Sequence, residues 1–452
     1  MKRSSSTAER LLEQLFGSPA VDALVSDQQL LQAMLDVEAA LAESEADAGL
    51  VPAAAAAEIA AACDVALFDA VDIARRSVAA GNPAAPLVRD LIDAVSADAQ
   101  AYVHLGATSQ DIIDTALSLI SHRALAVILD ELATIGDACA ALSEEHGATV
   151  MTARTLLQQA LPTTFGLKAA AWLVAVDEAR ALLSHVRSER LAIQLGGAAG
   201  TLAALQHDGV DVASRLAERL GLAEPVMPWH TDRTRPAELA AALAMTVGVL
   251  GKMARDVTLL AQPEIAEVSE GEGGDHGTSS TLPQKRNAMR AVLIVAAAER
   301  APGLAGTVLH AMVQEHERAA GAWHAEWETI RELLHLAGGA SHHAVQMLAS
   351  LRVDASRMAE NLTSGGGIVM AESVAHRLTS AAGQAVARDI VRRCVEESRE
   401  RHASFAEVVA GDAEVRRHLS EPDIAAALDP SGYLGSAQAL IRRARLAHRE
   451  IG

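Results

Sequence analysis

Aromatic residues are almost missing: Phe, Trp and Tyr together supply 2% of the 452 residues, although half of the chain is hydrophobic. The apolar volume therefore comes largely from Ala and Leu, which suit closely approaching helices better than a sheet of aromatic and β-branched residues. Lysine is nearly as scarce, confined to Lys2, Lys168, Lys252 and Lys285, and the formal charge is −20. No basic face stands out, which argues against nucleic acid as a partner. Cysteine is limited to Cys63, Cys139 and Cys394, far apart and odd in number, so neither a disulfide framework nor a zinc site is expected. No HExxH motif occurs, and the acidic residues show no clustering at helical ligand spacing, so no metal is expected. The Gly196–Gly200 run lacks the preceding strand of a dinucleotide fold, so no cofactor is expected. The N-terminus lacks the apolar core of a signal peptide, and no uninterrupted apolar run of about 20 residues occurs. These absences point away from a membrane and towards the cytoplasm.

What is present is long helical periodicity. Leu30, Met34, Val37 and Leu41 form one stripe over Asp27 to Ala48, where Gly49 stops it. Gly81-Asn82-Pro83 ends a second helix-rich segment. Proline-free stretches over Thr108 to Glu145, 165–194, 237–262 and 287–301 exceed the usual helix of about 11–12 residues. They predict an all-α protein with an N-terminal helical domain at 1–106, a central long-helix bundle at 107–350 and a smaller helical domain at 351–452.

Three segments carry chemistry. Gly271–Met289, GEGGDHGTSSTLPQKRNAM, joins four glycines and four consecutive hydroxyl residues to Lys285 and Asn287 ahead of an apolar helix. Such a loop can stabilise an anion or a serine alkoxide, and its composition is equally that of a surface loop with a helix cap. His104–Leu117, HLGATSQDIIDTAL, places Thr108, Ser109 and Gln110 at a loop-to-helix junction. On the bare sequence this is an ordinary N-cap. Arg154–Ala170, RTLLQQALPTTFGLKAA, contains Thr155 and Gln158. Arg233, Arg235 and Arg318 can serve as forks for carboxylates, or as surface charges paired with glutamates.

TSSTLPQKRN resembles the fumarase/aspartase signature GSSxMPxKxNP, with Ser279, Ser280, Pro283, Lys285 and Asn287 in register. Thr278, Leu282 and Ala288 depart from it. HLGATSQD resembles that superfamily's GxTSxD block, and Arg154–Gly166 resembles the RTHGQxAxPTTFG block of adenylosuccinate lyases. Leu156 stands where those relatives carry a histidine assigned as the general acid. Bacterial 3-carboxy-cis,cis-muconate lactonising enzymes are similar to the chain in lacking that histidine, and further blocks such as PWHTDRTRPAELA and HERAAGAWHAEWETI add to the likeness.

The resemblance implies a three-domain, all-α fold and a homotetramer with shared active sites. Ser279 is implied as the carbon base, with Lys285 and Asn287 completing the catalytic set. Thr108, Ser109, Gln110, Thr155, Gln158, Arg233, Arg235, Ser280 and Arg318 are the candidate contacts for a small di- or tricarboxylate. The implied reaction is reversible lactonisation of 3-carboxy-cis,cis-muconate. The alternative is a β-elimination lyase that releases fumarate from a substituted succinate of the nitrosuccinate, argininosuccinate or adenylosuccinate type. Without an acid histidine, a group leaving as a stable anion, such as nitrite, needs little help. A third reading, a non-enzymatic helical scaffold, is opposed by the retained Ser279, Lys285 and Asn287.

Overall fold

The computed structural model describes residues 11–271, 277, 282 and 285–451. The fold is helical, as expected. Five long helices dominate: α1 (Ser109–Glu145), α2 (Phe165–His185), α3 (Thr234–Leu260), α4 (Met289–His310) and α5 (Ala322–Ser350). Their length follows from uninterrupted apolar rows. On α1, Ile112, Ala116, Ile120, Ala124, Ile128 and Leu132 recur every fourth residue, and each is fully buried. Helix α4 runs through Pro302, further than the expected 287–301 stretch.

Contacts divide the chain into two compact units, each made of three separate stretches of sequence. The first comprises Met1–Leu132, Glu178–Lys252 and Leu293–Val345. Here the expected N-terminal helix spans Asp27–Asp47, capped by the Ser26 hydroxyl, with Met34, Val37 and Leu41 buried. The chain ahead of it lies against α5 where two glycines leave room: a Cβ at Gly339 would stand 1.6 Å from the Phe16 carbonyl oxygen.

The second unit comprises Ala133–Asp177, Met253–Val292 and Gln346–Gly452. Its C-terminal helices, shorter as expected, bury Val374, Leu378, Ile390, Phe405 and Val409 in one core. This unit also departs from a purely helical fold. The Arg154–Ala170 block begins as a hairpin, β1 (Val150–Thr155) against β2 (Gln158–Thr164), before entering α2. A two-residue hairpin turn of type I′ requires both central residues at positive φ, and Leu156 and Leu157 adopt φ 50° and 65°. Leucine is poorly suited to that region, so nothing in the local sequence announces the turn. A second ladder pairs β3 (Val268–Glu270) with β4 (Leu351–Val353).

Candidate active site

The first unit carries one group of candidates at the start of α1. Thr108 precedes the first helical residue, and neither its hydroxyl nor that of Ser109 bonds another described residue. Both are half-buried beside the unpaired amides of a helix N-terminus, where negative charge is favoured. Asp111 fixes this corner from within. Its carboxylate accepts from the Thr108 N–H at 3.0 Å, the Gly196 and Gly197 N–H groups at 3.0 and 2.9 Å, and lies 2.6 Å from His230 Nε2. Gly196 is needed for this closeness, because a Cβ there would meet His230 Cε1 at 2.8 Å.

Gln110 and Arg318 complete the corner. The buried Gln110 amide donates to the His230 carbonyl at 2.9 Å and to Asp114 at 3.1 Å. Its oxygen accepts from Arg318 Nε at 3.2 Å, and Arg318 Nη2 donates to the Gly197 carbonyl at 3.3 Å. Arg318 is thus positioned by neutral acceptors and has no acidic partner among the described residues. A half-buried guanidinium in that state favours an incoming carboxylate.

Arg233 does something different from the open fork expected of it. It is 2% exposed and bridges two buried carboxylates. Nη1 and Nη2 donate to Asp114 at 2.8 and 3.0 Å, while Nε and Nη2 donate to Glu326 at 3.0 and 2.5 Å. The guanidinium also stacks over Trp229, 4.8 Å from the ring centroid. Burial alone would lower its pKa, but Asp114 and Glu326 outweigh burial and raise it. Burial conversely pushes Glu326 up against the pull of Arg233. This cluster holds α1, α3 and α5 together within the unit beneath the Thr108 corner. Arg235 is turned away from that corner as well: its Nη1 donates to the Glu189 and Arg190 carbonyls at 3.2 and 2.9 Å. Burial, and then the neighbouring Arg190, lower its pKa.

The second unit carries the remaining candidates. Ser279 and Ser280 lie outside the described residues, as do Thr278 and Pro283. Lys285 is exposed. Asn287 closes the loop on itself, with its backbone N–H and its side-chain amide both donating to the Gly277 carbonyl, at 2.9 and 3.1 Å. The chain leaving the loop is set by a residue that motif reasoning missed: Glu270, at the end of β3, accepts from the Arg290 and Ala291 N–H groups at 3.3 and 2.9 Å and caps α4. Thr155 and Gln158 pair across the hairpin, both exposed, and Leu156 between them is 97% exposed. The hairpin base is anchored by Arg154, which meets Glu267 in a two-point pair at 2.7 and 2.9 Å. Asn361 also donates to Glu267, at 2.9 Å. No group of three or more His, Cys, Asp and Glu suited to a metal occurs among the described residues.

Residues 17–303 match a family model described as lyase, and residues 367–444 one described as the C-terminus of adenylosuccinate lyase. The chain belongs to the lyase family. Within this fumarase/aspartase superfamily, it is 44% identical over 448 residues to a 3-carboxy-cis,cis-muconate cycloisomerase of Pseudomonas aeruginosa, covering 98% of both chains. It is also 44% identical to a nitrosuccinate lyase of Streptomyces davaonensis, over 95% of this chain and 92% of the relative. The crystal structure of a 3-carboxy-cis,cis-muconate lactonizing enzyme from Pseudomonas putida superposes with a TM-score of 0.92 at 40% identity, covering 98% of this chain and all of that one. The lyase-family fold implied by the three motif blocks is therefore the fold the chain has.

Proposed function

We propose that the protein catalyses reversible lactonisation of 3-carboxy-cis,cis-muconate. The observation that carries this reading is the Arg318, Thr108 and Ser109 corner: one guanidinium without an acidic partner and two hydroxyls without a bond among the described residues, at a helix N-terminus, in a chain that resembles cycloisomerases along nearly its whole length. In the forward direction one substrate carboxylate oxygen bonds to an alkene carbon, and the π pair moves onto the adjacent carbon and its carboxylate. That carbon takes a proton from the Ser279 hydroxyl, and the serine recovers one from water, so each turnover consumes one proton. The intermediate is tolerable only with its charge on oxygen, which preorganised donors supply. Lys285 and Asn287 are assigned to that carboxylate, Lys285 as a contact and Asn287 by closing the loop that presents it. Ser280, Thr155 and Gln158 are assigned to positioning the substrate. The leaving group in the reverse direction is a carboxylate, which departs without an acid and fits the leucine at position 156.

A shared site in a homotetramer accompanies this reading. It is supported by the apolar helix α4, which is long enough to cross a bilayer yet has only 28% of its most apolar window buried within the chain, a surface suited to association with other copies in the cytoplasm. Ultraviolet loss of the muconate diene on incubation with the protein tests the function. Fumarate release from nitrosuccinate, with the muconate untouched, would replace it with the elimination reading that the Streptomyces relative favours.

A further inference from the structure

The first unit contains an imidazole, within the PWHTDRTRPAELA block, to which the sequence reading assigns no role. His230 lies in the loop before α3, 4% exposed, with Nε2 2.6 Å from Asp111 Oδ1. Asp111 is itself fully engaged: Oδ1 faces the Gly196 N–H and His230, and Oδ2 faces the Thr108 and Gly197 N–H groups. A carboxylate with these partners stays an acceptor, so it holds the proton on Nε2 and fixes the ring plane. Nδ1 is left over. Among the described residues it has no hydrogen-bond partner. The ring is not adrift in the core, since its backbone carbonyl is bonded by Gln110, the same side chain that positions Arg318. A single carboxylate thereby ties the ring to the Thr108 backbone, and a single amide ties it to the substrate-facing arginine.

We infer that His230 Nδ1 is a substrate contact and the group that offers a proton to the substrate carboxylate held at Thr108, Ser109 and Arg318. This rests on the carboxylate-binding reading of that corner. On substrate binding Nδ1 takes up one proton from solvent, and as charge builds on the carboxylate oxygen the resulting imidazolium Nδ1–H donates to it, with Asp111 balancing the ring's charge; that proton returns to solvent when product leaves. When carbon is protonated the hydrogen bond relaxes, so His230 ends each turnover with the protons it began with. The carboxylate-histidine arrangement is that of a general acid-base pair, supplied from a position unrelated to Leu156. The charged groups nearest this network are Asp111 at Nε2, Arg318 across Gly197 and Gln110, and His104, whose pKa burial would lower but Glu38 and then Asp111 raise.

The test uses His230→Gln, whose amide can still donate to Asp111 from the place of Nε2 but has nothing at Nδ1. Wild type and variant are compared in melting temperature, in kcat, and in binding of tricarballylate, a saturated tricarboxylate that cannot react. Calorimetry in two buffers of different ionisation enthalpy reads the proton taken up on binding. The expected result is a folded variant with kcat lower by about 100-fold or more, and proton uptake present in wild type but abolished in His230→Gln. Wild-type kcat and unchanged proton uptake in the variant would overturn the assignment, as would a wild type that does not bind tricarballylate. If the wild type turns over neither muconate nor nitrosuccinate, the proposed function fails separately, and the comparison of proton uptake still decides the role of His230.

Discussion

Replacing Arg233 by leucine removes the one cation from a site where Asp114 is 2% and Glu326 0% exposed. Five hydrogen bonds disappear with it, two to Asp114 and three to Glu326. Breaking one buried ion pair costs about 3–5 kcal/mol because the remaining charge is stranded. Here two carboxylates are stranded, so the expected loss at pH 7.5 is at the top of that range, about 5 kcal/mol. Against a typical total of about 5–15 kcal/mol, this is enough to bring the protein near unfolding. The cost depends on pH in a definite direction. Without Arg233, the pKa of Glu326, already raised by burial, rises further. A carboxyl whose folded pKa exceeds its unfolded value stabilises fully below the unfolded pKa and loses that contribution as pH rises through the folded one. The gap between wild type and Arg233→Leu should therefore narrow towards pH 4–5. Guanidinium unfolding at fixed protomer concentration can be followed by tryptophan fluorescence, because Trp229 lies under the guanidinium and Trp323 Nε1 donates to Asp114 at 2.9 Å. A loss below about 1 kcal/mol with no pH dependence would refute the reasoning and return Arg233 to the candidate substrate contacts.

Other outcomes follow from the same geometry. Arg318→Leu should lower kcat/KM by roughly 10- to 100-fold, as expected for one charged hydrogen-bonding contact of about 1.5–3 kcal/mol, with the melting temperature nearly unchanged. Steady-state kinetics on the muconate read this. Ser279→Ala should reduce kcat at least 100-fold, and an unchanged kcat would remove the serine-base mechanism. Glu45 is fully buried with both carboxylate oxygens unpartnered among the described residues, and burial, then Glu38, push its pKa up to about 9. Glu45→Gln should be neutral near pH 4 and stabilising by on the order of 3 kcal/mol at pH 7, seen as a widening gap in unfolding midpoints. His448 sits 2.9 Å from Asp177 and 3.1 Å from Asp137. Burial would lower its pKa, but these bonds raise it, so its support of the C-terminal helix is fully present below the unfolded pKa and fades as pH rises through the raised value. His448→Gln should flatten that slope.

Much of this was legible in the sequence because it rests on repeated patterns. The apolar row of α1 and the Asp27 helix follow from spacing, and Thr108 and Ser109 sit where a helix cap must be. The Leu156–Leu157 turn was not legible, since it uses a conformation that leucine disfavours; Leu157→Gly should stabilise the hairpin by about 1–2 kcal/mol, read as a higher melting temperature. The choice between the two readings of Arg233 was not legible, because one sequence cannot tell a fork that faces solvent from one that faces Asp114 and Glu326, separated from it by 119 and 93 residues. The roles of His230 and Glu270 were not legible for the same reason: their partners are distant in the chain, and neither follows from a spacing rule.

The four-way grip of Asp111 has a bearing on how the site comes into being. Its donors come from three stretches of chain, at positions 108, 196–197 and 230; the first is local, but the other two close loops of 85 and 119 residues, and each such closure costs entropy that no single hydrogen bond repays. The corner therefore assembles cooperatively, late in folding, once the surrounding helices have removed most of that freedom. Its amides become reporters: exchange of the Gly196 and Gly197 hydrogens should slow together, and a ligand that tightens the corner should protect both at once.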